Sequence, residues 1–107
     1  MPNRRTTFRF DVFEFSLTII LAESVQQTAR RLGVNITGAY ACFITQGDKP
    51  AHGWLIFDTN PSPGTIAHEA SHAIWRMLTD VGAMDDETFA YHLHHLVGGI
   101  HKFMNKA

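Results

Sequence analysis

Apolar side chains recur at every second position over two stretches near the start of the chain. Phe8, Phe10 and Val12 alternate with polar neighbours, and the phase then shifts to Phe13, Phe15, Leu17, Ile19 and Leu21. A period of two marks a strand with one face against a core. Both stretches are therefore predicted strands, and the change of phase predicts a bulge or tight turn near Val12-Phe13. The segment VQQTARRL (25–32) reads as a short helix, with Glu23 or Ser24 as its cap and Gly33 as its stop. Next come an apolar run AYACFIT (39–45), turn-rich QGDKPAH (46–52) and GWLIFD (53–58), which together predict a hairpin. NPSPG (60–64) has loop chemistry.

The period then changes to 3.6. Ile66, Ala70, Ala73, Ile74, Met77, Leu78 and Val81 form one stripe of a predicted helix. Ser62 is a good N-cap, Pro63 suits the first helical position, and Gly82 suits the far end. A last helix opens at Asp85 or Asp86 and carries Phe89, Leu93, Leu96, Val97, Ile100 and Phe103 or Met104 on its apolar side. Strands, a short helix, a hairpin and two helices predict an α+β fold. The expectation is one domain over 1–107, with helices against one face of a small, mainly antiparallel sheet.

Composition narrows the function classes. The chain has 107 residues, 45% of them hydrophobic and 8 of them Phe, enough for one modest core. A net charge of −1 with 18% charged residues gives no electrostatic reason to expect nucleic acid or an anionic membrane as partner. Arg4-Arg5 is a short basic pair expected to be solvated. The sole cysteine, Cys42, excludes an internal disulfide and a multi-cysteine zinc cluster; within YACFI it is expected to be a buried structural thiol. Neither a signal-peptide apolar region nor a run of about 18–20 apolar residues is present, so a reduced, cytoplasmic protein is expected. A metal site would have to use histidine and carboxylate.

The segment TIAHEASHAIW (65–75) supplies both. His68 and His72, four residues apart, share a helix face and can reach one ion about 2.0–2.1 Å away. Glu69 lies about 100° round the helix, near enough to take a proton from a water that zinc has acidified. This is the physical content of the H-E-x-x-H motif. Catalytic zinc usually takes three protein ligands. Trp75 and Leu78 stand where a metzincin would have Gly and His. Glu87, at the start of the last helix and opposite its apolar stripe, is the better third candidate, with Tyr91 and His94 on the same side. Tyr91 could donate to a tetrahedral oxyanion or be an amphipathic edge residue. His94 could stabilise an oxyanion, be an alternative third ligand, or be neither. His92, His95 and His101 are expected to be partly exposed helix residues, and His52 a loop residue. Asp85 and Asp86 are better caps than ligands.

HEASHAIW followed by DDETFAYHLHHLVG resembles the gluzincin arrangement of zinc metallopeptidases, H-E-x-x-H with a downstream Glu. More narrowly it resembles their very small phage-encoded members, and the close likeness covers about 65–98. The resemblance implies a zincin-like fold with Zn2+ held by His68, His72 and Glu87, Glu69 as general base, and a peptide or protein substrate. It further implies that GWLIF aligns an extended peptide through backbone hydrogen bonds, and that a phage-encoded chain would act in the host cytoplasm. Position 91 is Tyr where larger members carry an Asp that orients a ligand histidine, so that role would fall to Asp58 or Asp80. A binding or regulatory protein that keeps the fold without turnover is the alternative.

Overall fold

In the computed structural model, residues 3–38, 41–46 and 51–106 are described. The phase shift at Val12-Phe13 is a turn. Strand β1 (Arg4–Phe10) and strand β2 (Phe15–Leu21) form an antiparallel hairpin, Arg4 opposite Leu21 and Phe10 opposite Phe15. A single 3₁₀ turn, Asp11–Phe13, joins them, and Glu14 closes it at φ 52 with its N–H donating to Asp11 O.

Helix α1 (Val25–Arg31) is capped by Ser24, whose hydroxyl accepts from Gln27 N at 3.1 Å. Strand β3 (Ala41–Thr45) pairs antiparallel with strand β4 (His52–Phe57), as the hairpin predicts. Residues 39–40 of the expected strand and 47–50 of its turn lie outside the described residues. β4 also pairs with β2, in parallel, Ser16 opposite His52 and Leu21 opposite Phe57. The strand order is β1-β2-β4-β3. The sheet is thus mixed: two antiparallel ladders flank a parallel one. A parallel pair needs a long crossover, and here α1 and β3 lie within it.

Helices α2 (Pro63–Asp80) and α3 (Asp86–Met104) cover one face of the sheet. There Leu17, Ile19, Leu21, Leu55 and Phe57 meet Ile66, Ala70, Ile74, Leu78, Leu96 and Ile100 in the main core. The expectation that all helices share one face fails for α1. Val25 and Ala29 pack on the opposite face with Ile20, Ile44 and Ile56. The reason is the strand period: Leu17, Ile19, Leu21, Leu55 and Phe57 face α2 and α3, while Ile20, Trp54 and Ile56 put apolar side chains on the other face, which needs cover too.

The caps anchor this layout. The Ser62 hydroxyl accepts from Thr65 N at 3.1 Å and Pro63 opens α2. Asp85 accepts from Thr88 N at 2.9 Å to start α3, and Gly82 between the helices adopts φ 72. Arg4 is not merely solvated. Its Nη2 donates to Phe103 O at 2.8 Å and Lys106 O at 3.2 Å, satisfying carbonyls at the end of α3, and its guanidinium lies 4.9 Å from the Phe103 ring centre. Among the described residues, no helix is long and apolar enough to cross a membrane.

Candidate metal centre

The predicted stripe of α2 is buried from Ile66 to Leu78, while Val81 is exposed. Burying that stripe turns His68, His72 and Trp75 outward. The two imidazoles meet: their Nε2 atoms are 3.3 Å apart and the rings stand edge to face with centres 4.9 Å apart. Two nitrogens each about 2.0–2.1 Å from one tetrahedral zinc are about 3.3–3.4 Å apart, so the pair has the separation of two ligands of a single cation. In its absence the same approach lets one neutral ring donate to the other. The Glu69 carboxylate lies beside His68, with Oε2 3.7 Å from its Nε2. Its side chain is only 15% exposed against 69% for His68, so the carboxylate sits at the foot of the imidazoles. Ser71 takes no part, since its hydroxyl donates to Ala67 O at 2.7 Å.

Two open grooves meet at Glu69. One, of about 450 Å³, is lined by Ala41, Cys42, Phe43, Glu69, His72, Trp75 and Arg76. The other, of about 510 Å³, is lined by Ala41, Ser62, Gly64, Thr65, His68 and Glu69. Ala41 and Glu69 belong to both. The site is therefore an open cleft between α2 and β3, one of the sheet's two edge strands.

Other expected members stand elsewhere. Among the described residues, no three His, Cys, Asp or Glu side chains are grouped to hold a metal ion. Glu87 is exposed in the first turn of α3 and is not gathered with the histidines. The cause is helix length: α2 continues eight residues beyond His72 before ending at Asp80, a rise of about 12 Å. Tyr91 is 69% exposed and lines a different groove, with Phe10, Phe13 and His92. His94 is exposed on α3. Neither carboxylate suggested as a histidine orienter serves the pair in this structure. Asp80 accepts from Arg76 Nε at 2.8 Å, and Asp58 accepts from Asn60 N at 3.1 Å.

His52 opens β4 rather than lying in a loop. Its Nε2 is 2.9 Å from Thr18 Oγ1, which is in turn 3.1 Å from Thr7 Oγ1. Burial lowers its pKa below the ordinary imidazole value. Cys42 is only partly buried, and its thiol is pushed up to about 11, first by burial and then by the nearby Glu69 charge. The strand expected to align a peptide is also corrected. GWLIF lies in β4, whose two edges are both used by β2 and β3, leaving β3 as the strand beside the cleft. The alternation within ACFIT signals this, because Ala41 and Phe43 face the α2 core while Cys42 and Ile44 face α1. What that pattern lacks is which of two paired strands lies outermost.

No family model, no curated protein and no solved structure matches this chain.

Proposed function

We propose that this chain is a minimal zinc-dependent peptide hydrolase of gluzincin type, with His68 and His72 as metal ligands and Glu69 as general base. The observation that carries the reading is the 3.3 Å Nε2–Nε2 separation with the Glu69 carboxylate beside it. A zinc ion held there supplies Lewis acidity toward a peptide carbonyl. Glu69, whose carboxylate lies 3.7 Å from His68 Nε2, would accept a proton from the attacking water and return it to the leaving amine. Glu87 enters as the third ligand on the strength of the sequence resemblance, and Tyr91 and His94 as oxyanion donors, His94 alternatively as third ligand, from their i+4 and i+7 spacing on Glu87's side of α3. The edge of β3 lies where an extended peptide could add as a further strand across the cleft.

One observation favours a second reading. The described residues gather two donors rather than three, which suits a protein that keeps the cleft and binds peptide without cutting it. Zinc content and turnover, measured together on the purified chain, separate the two. The hydrolase reading expects wild-type protein to cleave an unbiased peptide mixture in a chelator-sensitive way. Glu69→Gln should retain zinc and lose turnover, and Glu87→Gln should lose at least about tenfold in zinc affinity. Full activity in Glu69→Gln would remove the base, and unchanged zinc affinity in Glu87→Gln would remove the third ligand. A zinc-loaded wild type that cleaves nothing would favour binding.

A further inference from the structure

The two arms of the cleft differ in chemistry, and the difference points to a substrate class. On the His68 side the walls are Ser62, Gly64 and Thr65, which are small or polar. On the His72 side they are Phe43 and Trp75, and Trp75 is 53% exposed although it sits on the helix that fills the core. A large aromatic ring left half in water at a groove is an apolar surface awaiting cover.

The charges in that arm decide what covers it. Arg76 is paired with Asp80 at 2.8 Å, so its cation is already matched. Cys42 turns its side chain to the α1 face and brings no charge into the arm. Glu69, at the junction of the arms, would oppose an acidic side chain. A bulky apolar group is the occupant that loses least on entry and gains most against Trp75.

We propose that the Trp75 arm is a specificity site for one bulky apolar residue, aromatic above all, of an extended peptide laid along β3, and that the Ser62–Thr65 arm takes a small or polar residue. This deepens the hydrolase reading but concerns docking alone. Strand addition fixes the peptide's register on the edge, because side chains alternate faces and a one-residue slip moves every one of them. A single aromatic placed at successive positions therefore scans the arm.

The test uses the full chain carrying Glu69→Gln and loaded with zinc, titrated by NMR with capped Ala/Ser hexapeptides bearing Phe at one position each. Phe at one position should tighten binding about fivefold or more over the Phe-free peptide. Trp75→Phe should keep most of that preference, and Trp75→Ala should abolish it while leaving the circular dichroism spectrum native. Equal affinity for every peptide, or a preference that survives Trp75→Ala, would overturn the proposal. Cleavage by wild-type protein is read separately. Absent cleavage with the Phe preference intact sinks hydrolysis and leaves the docking site standing. Cleavage with no Phe preference does the reverse.

Discussion

At the scale of single residues, two positions carry consequences beyond their own contacts. His52 is a polar side chain on the sheet face opposite the main core, tied to Thr18 and packed edge-on against Trp54 with ring centres 4.6 Å apart. Burial lowers its pKa, so the fold holds the neutral ring and the unfolded chain takes up a proton first. The stabilising contribution is complete above the unfolded pKa, near 6.5, and is lost as pH falls through the lower folded value. Denaturant midpoints should therefore fall between mildly alkaline and mildly acidic pH more steeply in wild type than in His52→Gln. Equal slopes would show that His52 does not contribute. In the sequence this residue read as part of a turn, because HG follows KPA and nothing local announces a strand; its place is set by pairing with β2. His68 and His72 were legible because four residues on a helix fix adjacency without any tertiary contact.

Elements were legible where local chemistry and period agreed. Ser62-Pro63, Asp85 and Ser24 each start the helix expected of them, since a cap acts within three residues of itself. Which face an element covers was less legible, because that depends on partners distant in sequence. α1 shows this, and so does α3, whose consecutive glycines Gly98 and Gly99 have opposite surroundings. A Cβ on Gly98 meets nothing within 4 Å, whereas one on Gly99 falls 2.5 Å from the Phe8 ring. Gly98→Ala should stabilise the protein by about 0.5–1 kcal/mol, the usual helical preference for alanine. Gly99→Ala should destabilise it by about 1–2 kcal/mol, overpacking against Phe8 outweighing the same gain. Thermal or urea melts of the pair check the opposite signs, and two stabilised variants would mean that β1 yields easily.

For the whole molecule, the two apolar clusters are complete without a metal. The residues of the main core lie on the far side of α2 from His68 and His72, and the second cluster lies across the sheet. This differs from small zinc modules, whose folding energy comes from the ion. Chelator-treated protein should keep a cooperative melt within a few degrees of the untreated sample. Added zinc should raise the midpoint only as mass action on an exposed site allows. Collapse on chelation would mean that the histidine pair helps to hold the fold. The α+β class followed from the order of patterns along the chain. The parallel ladder did not, since the alternation of faces along a strand carries no mark of its neighbour's direction.

The position of β3 has one more consequence. β2 and β4 are each gripped along both flanks, but the rim of the cleft belongs to a five-residue strand fastened on one side only. Outermost ladders are the first to open in native fluctuations, while interior ones wait for global unfolding. The width of the cleft can therefore breathe at little cost while the scaffold beneath the histidines stays rigid.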